Sequence, residues 1–205
     1  AGIQNGGQTC SASSRILVHR SRYNEVVDHM SQKYKDLIVR PAINDGALGP
    51  LISERQKSIV EDFISKGQRL NLVAQGEIDS SAPTKGHYVA PHLFADVSED
   101  HILAKDEIFG PVQVIMPFDT EEEAISIANG TDYGLVASIW TNDGARQMRL
   151  AKKLKSGQVF INNYGAGGGV ELPFGGRGFS GHGREKGFEA LYGFSTLKTV
   201  ASYHQ

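Results

Sequence analysis

A chain of 205 residues, 40% apolar and 21% charged, fits one large soluble domain, or a domain with an appendage. Its formal charge of −2 gives no electrostatic reason to expect nucleic acid or an anionic membrane as partner, and no apolar run approaches the roughly 20 residues of a membrane helix. One cysteine excludes an internal disulfide and suits a reducing cytoplasm; the opening AGIQNGGQTC lacks both an initiator Met and a signal-peptide pattern, so a piece of a longer protein is expected.

The first element is the β-branched run Arg15–His19 (RILVH). A helix of roughly Ser21 to Leu37 follows, with Val26, Val27, Met30, Tyr34 and Leu37 on one side. Ser53-Glu54-Arg55-Gln56 spells a capping box, and Ile59, Val60, Phe63 and Ile64 continue it at helical spacing to a stop at Gly67. Strand-like runs come next at Leu70–Ala74 and Val112–Phe118. Thr120-Glu121-Glu122-Glu123 is a second capping box, opening a helix through Ala124, Ile127 and Ala128 to Gly130. Leu135–Trp140 reads as strand, about Asp143 to Leu154 as helix, and Gln158–Asn162 as strand again.

Nine of the 24 glycines fall between Gly165 and Gly183, which predicts a loop. A short helix of about Arg184 to Tyr192 and an alternating, strand-like tail at Thr196–His204 complete the chain. Short apolar strands alternating with helices are the pattern of an α/β fold, a mostly parallel twisted sheet with helices on both faces. The expected division is a catalytic domain over residues 1–193 and a tail over 194–205.

Three motifs bear on chemistry. Gly176–Gly181 spells G-x-G-x-x-G, but a dinucleotide fingerprint works only between a strand and a helix of a βαβ unit. Here Pro173-Phe174 precedes it and too little chain follows, so a glycine-built bend is expected. Asn5-Gly6-Gly7-Gln8-Thr9-Cys10 is a polar, glycine-rich turn followed by Ser11-Ala12-Ser13-Ser14, small residues that suit the first turn of a tightly packed helix. A cysteine at a helix N-terminus is favoured as the nucleophilic thiolate, and its amide can donate to an oxyanion. The alternative is a buried, inert thiol that packs like a small hydrophobe.

The third motif is Glu107-Ile108-Phe109-Gly110-Pro111. In extended chain Glu107 and Phe109 project together while Ile108 faces the core. A carboxylate that can accept from two ribose hydroxyls, beside an aromatic face, suits a nicotinamide riboside; a solvated Glu beside a packed Phe is the alternative. The seven histidines form no metal spacing and there is no cysteine cluster, so no metal is expected.

Together these segments resemble the aldehyde dehydrogenase superfamily, in its C-terminal catalytic portion. N-G-G-Q-T-C at Asn5–Cys10 is similar to the family's active-site cysteine segment, and Asp106–Pro111 to its E-[IE]-F-G-P cofactor segment. P-F-G-G at Pro173–Gly176, S-G at Ser180–Gly181 and G-R-E-K-G at Gly183–Gly187 keep the family's order and approximate spacing, and the resemblance runs the length of the chain. It implies an enzyme that uses NAD or NADP to oxidise an aldehyde to a carboxylic acid, through a thiohemiacetal and a thioester on Cys10. By the same resemblance Glu107 binds the nicotinamide ribose, Phe109 flanks the ring, Gln56 lies near the adenosine end, and Glu185 belongs to a proton path. Gly165–Leu172 would line the substrate entrance, and the tail Thr196–His204 would join an intersubunit sheet in a cytoplasmic homo-oligomer.

The family's upstream half is expected to carry the main dinucleotide-binding domain, a general-base glutamate and an oxyanion-binding asparagine. The resemblance therefore implies that the 205-residue chain is inactive by itself. Two other functions fit the residues: a cofactor-free cysteine hydrolase and a non-enzymatic descendant of the fold. A CoA-acylating branch of the family is also compatible. The sequence selects neither the aldehyde nor NAD over NADP.

Overall fold

The computed structural model describes residues 1–165 and 169–204. The chain divides into two compact units, Ala1–Thr131 and Asp132–Gln205.

In the first unit the elements are β1 (Arg15–His19), α1 (Tyr23–Lys35), β2 (Ile38–Val39), α2 (Glu54–Lys66), β3 (Asn71–Gln75), β4 (Glu77–Ile78), β5 (His92–Ala95), α3 (Ile102–Lys105), β6 (Val112–Phe118) and α4 (Glu121–Asn129). Both capping boxes start helices. The Ser53 hydroxyl accepts from the Gln56 amide at 3.2 Å and the Thr120 hydroxyl from the Glu123 amide at 3.1 Å. The Glu123 carboxylate also accepts from the Asp119 amide at 2.7 Å, and three acidic residues face the positive end of the α4 dipole. Lys33 and Lys35 complement the opposite end of α1.

The main sheet has the order β1-β6-β5-β3. β1 and β5 flank β6 in parallel, and β3 closes the edge antiparallel to β5, with a register shift between Leu72 and Ala74. Side chains alternate across it. On one face Leu17, Phe94, Val112, Val114 and Met116 pack against Val60, Phe63 and Ile64 of α2, Ile102, Leu103 and Ala104 of α3, and Ile127 of α4. On the other, Ile16, Val18, Leu93 and Ile115 pack against Tyr23, Val26, Val27, Met30 and Tyr34 of α1. Burial of each large apolar side chain in these layers is worth ~1.5–3 kcal/mol. This is the expected α/β architecture, with helices on both faces.

The second unit contains β7 (Val136–Ile139), α5 (Gly144–Lys153), β8 (Gln158–Ile161) and α6 (Glu189–Gly193). β7 and β8 pair in parallel, joined through α5, whose N-cap Asp143 accepts from the Arg146 amide at 3.0 Å. The five expected strand runs therefore divide: three join the main sheet and two form this pair.

Several boundaries differ from the sequence expectation. The strand expected at Leu70–Ala74 begins one residue later, because the Leu70 amide closes a turn onto Gly67 O at 2.9 Å. The helix expected from Arg184 starts at Glu189: Lys186 and Gly187 adopt φ of 61° and 60°, and Glu185 forms an antiparallel bridge with Phe174. Gly176–Gly181 is a pair of turns, Ser180 N–H to Arg177 O and Gly181 N–H to Gly178 O, both 3.1 Å. Thr196–His204 is exposed and carries no strand pairing among the described residues.

Candidate active site

Cys10 is an exposed free thiol at the end of a loop that closes on itself. Asn5, Gly6 and Gly7 take φ of 54°, 63° and 76° in succession, conformations that Asn and Gly tolerate best. The Asn5 amide group donates to Gln8 O and the Gln8 amide group donates to Asn5 O, each at 3.1 Å. The helix expected to begin at Cys10 is not there. The Ala12 amide bonds Thr9 O at 2.8 Å and the Ser14 amide bonds Ala12 O at 2.9 Å, tight turns that lead directly into β1, so no helix dipole acts on the sulfur from this segment.

The segment after Cys10 is held by a buried amide. Ser11 is buried, and beneath the segment lies Gln113, a buried polar residue at the start of β6. Its side-chain amide donates to Ser13 O, and its carbonyl oxygen accepts from the Tyr34 hydroxyl. Both ends of the amide are satisfied, as a buried amide requires. Burial raises the Tyr34 phenol far above its ordinary range, which keeps it the donor of this pair. A methyl on Gly2 would collide with Gln113, so the start of the chain packs over the same amide.

The second motif lies against the first. A Cβ on Gly7 would stand 2.0 Å from Gly110 O, so the cysteine loop meets the Gly110-Pro111 backbone with no side chain between. Gly110 is in turn backed by Val60 of α2, where a Cβ would come within 2.4 Å. Ile108 is buried in the core while Glu107 is exposed and Phe109 is 36% exposed, the outward-inward-outward pattern expected from sequence. Phe109 has φ 55°, a left-handed conformation costly for an aromatic residue.

Gln56, on the first turn of α2, explains how that conformation is kept. Its side-chain nitrogen donates to Ile108 O at 3.2 Å and Phe109 O at 3.0 Å. The Gln8 side-chain oxygen accepts from the Ile52 amide at 2.9 Å, just before the α2 cap. The cysteine loop, the start of α2 and the Glu107–Pro111 turn are thus interlocked. Glu185 lies in the second unit, exposed, its backbone bridged to Phe174. Part of the expected entrance loop, residues 166–168, lies outside the described residues. Among the described residues no three His, Cys, Asp or Glu side chains are placed to hold a metal ion, and no helix is long and apolar enough to cross a membrane.

The motif pairing agrees with what the chain matches. The family model for the aldehyde dehydrogenase family matches residues 1–200. The chain belongs to the aldehyde dehydrogenase family. A betaine aldehyde dehydrogenase of Rhizobium leguminosarum is 36% identical over 197 residues, 95% of this chain and 40% of that protein. A crystal structure from Burkholderia cenocepacia, ascribed to an aldehyde dehydrogenase, superposes with TM-score 0.94 at 57% identity, over 97% of this chain and 42% of that one. The C291A mutant of aldehyde dehydrogenase C from Pseudomonas syringae, solved with NAD+ and octanal, superposes with TM-score 0.85 at 34% identity, covering 93% of this chain and 40% of its own. The chain thus spans about 40% of the length of the curated relatives it matches.

Proposed function

We propose that this chain is the catalytic portion of a cytoplasmic, NAD- or NADP-dependent aldehyde dehydrogenase that converts an aldehyde to a carboxylic acid. The observation that carries the reading is the backbone contact of Gly7 with Gly110, which sets the Cys10 loop beside the turn that displays Glu107 and Phe109. The NAD+ complex of the Pseudomonas syringae enzyme supports the cofactor, and its octanal supports an aldehyde as substrate.

Half of a dinucleotide fits the residues present. An exposed carboxylate and a half-exposed aromatic ring two residues apart suit the nicotinamide riboside. None of the strand-to-helix turns β1–α1, β6–α4 and β7–α5 is glycine-rich, so the pyrophosphate is assigned to a further domain such as the longer relatives have room for.

In the proposed chemistry the Cys10 thiolate forms a C–S bond to the aldehyde carbon, and the carbonyl electron pair moves to oxygen. A bound oxidised nicotinamide supplies the two-electron acceptor. Collapse of the thiohemiacetal oxyanion with loss of hydride leaves a thioester on Cys10. Water adds to that carbonyl, the C–S bond breaks, and carboxylic acid, the Cys10 thiolate and one released proton result. Glu107 holds the ribose hydroxyls, Phe109 flanks the ring, and Glu185 serves a proton path. The tail Thr196–His204, exposed and without a strand partner among the described residues, is assigned to a homo-oligomer interface.

The test is the full-length protein with NAD or NADP and a panel of aldehydes, following reduced nicotinamide by absorbance. Turnover that vanishes in Cys10→Ala supports the reading. Cys10-dependent ester cleavage indifferent to nucleotide, without aldehyde oxidation, identifies a hydrolase instead. Oxidation that requires CoA identifies the acylating branch, and an unreactive Cys10 a non-enzymatic relative.

A further inference from the structure

We propose that Gln56 is a positioning residue for hydride transfer: its side-chain amide clamps the Ile108–Phe109 backbone and so fixes the Phe109 ring where the nicotinamide must lie. The inference rests on the function proposed above. Both partners of the Gln56 nitrogen are backbone carbonyl oxygens, at 3.2 and 3.0 Å, and a carbonyl only accepts. The NH2 end of the amide therefore faces the turn, and its two N–H groups are both consumed there. Held in this way, Gln56 acts on the cofactor by placing the Phe109 backbone.

The clamp acts where the backbone needs it. Phe109 holds φ 55°, which an aromatic side chain leaves readily unless the surroundings oppose it. On the next residue, Val60 of the same helix fills the space beside Gly110. The helix that carries Gln56 is itself braced: Ser53 caps it, and the Gln8 side chain of the cysteine loop accepts from the Ile52 amide at 2.9 Å. Gln8 and Gln56 thus transmit position in series, from the Cys10 loop through the start of α2 to Phe109. A nucleophile and a ring-flanking residue on different segments need such a link, because hydride transfer tolerates little misplacement.

The decisive comparison is between Gln56→Met, close in shape but without a donor, and Gln56→Lys, which restores a donor. Crystal structures of the full-length wild type and variants report φ at Phe109, while steady-state and burst kinetics report the cofactor. In Gln56→Met the Phe109 φ should leave the left-handed region, and the cofactor KM should rise about tenfold, the scale of two lost hydrogen bonds. The burst of reduced nicotinamide should slow while the aldehyde KM stays unchanged, and Gln56→Lys should recover most of both losses. A left-handed Phe109 in Gln56→Met overturns the clamp. A moved Phe109 with unchanged cofactor KM and burst, or Met and Lys variants equally impaired, overturns the positioning role. A wild type that oxidises no aldehyde with either nucleotide sinks the proposed function instead, and the two failures are told apart because the crystal comparison reads the clamp without turnover.

Discussion

Gly7 and Gly110 meet backbone to backbone, with room for a hydrogen and nothing larger: a methyl on Gly7 would fall 2.0 Å from the Gly110 carbonyl oxygen and 2.9 Å from the Pro111 nitrogen. Two segments about a hundred residues apart in sequence therefore share one surface, and each needs glycine for a different reason. Gly7 also sits at φ 76°, which any side chain resists.

Gly7→Ala should consequently be one of the most damaging single-methyl changes in the first unit, lowering stability by about 2 kcal/mol or more from strain and overlap together. Gly144→Ala is the contrast, because a Cβ there meets nothing within 4 Å and the position opens α5. It should be neutral or slightly stabilising. Urea unfolding of both variants tests this, and equal midpoints would remove the steric account of the contact.

Local signals were legible in the sequence and long-range ones were not. Ser53 and Thr120 cap their helices as read, because a capping box is complete within four residues. β5 went unread: His92-Leu93-Phe94-Ala95 is buried on both faces, so it shows no alternation, and its pairing with β3 and β6 is not encoded nearby. The small residues Ser11–Ser14 read as a helix start, whereas the segment is not helical and its Ser13 carbonyl is held by buried Gln113, a hundred positions away in β6. One signal did point there, a lone amide inside the apolar run VQVIMPF. Gln8 and Gln56 stand inside recognisable motifs, yet what they hold, Ile52 and Phe109, follows only from the fold.

His92 should make stability depend on pH. It is buried in β5, its Nδ1 2.8 Å from Ala90 O and its ring stacked on Phe94, and burial pushes its pKa down although the Ala90 carbonyl works against the shift. The unfolded chain takes up a proton near pH ~6.5 that the folded chain resists. The contribution is therefore present above that pH and lost as pH falls toward the depressed folded value, with a slope of at most about 1.4 kcal/mol per pH unit. His92→Gln, which keeps a donor for Ala90, should flatten the unfolding free energy as pH falls below about 6.5. An unchanged slope would place the titration elsewhere.

Glu107→Gln in the full-length enzyme should impair cofactor placement and the hydride step more than aldehyde binding. Glu107 is exposed beside buried Ile108, so its loss should leave the fold intact. What it should lose is charge assistance to the ribose hydroxyls, on the order of 1.5–3 kcal/mol per bond. Stopped-flow formation of reduced nicotinamide is the measurement. A normal burst and normal cofactor affinity would reduce Glu107 to a surface carboxylate.

The 205-residue chain alone should not sustain aldehyde oxidation. Hydride transfer requires the acceptor carbon in van der Waals contact with the carbon bound to Cys10, and such placement supplies a large part of the rate. Glu107 and Phe109 reach one end of a dinucleotide, and the turns β1–α1, β6–α4 and β7–α5 lack the glycine-rich cradle a pyrophosphate needs. A thioester on Cys10 would also hydrolyse slowly without a general base placed for the water: of the glutamates in the interlocked segments, Glu54 lies 3.1 Å from His87 and Glu107 is assigned to the ribose. The first unit should nonetheless fold, since apolar layers cover both faces of its sheet. Purified chain is mixed with NAD or NADP and aldehydes, with circular dichroism to confirm folding and absorbance to follow reduced nicotinamide. No turnover from folded protein is the expected result. Sustained turnover abolished by Cys10→Ala would show that Glu107, Phe109 and Cys10 suffice, and the need for a second nucleotide-binding domain would be gone.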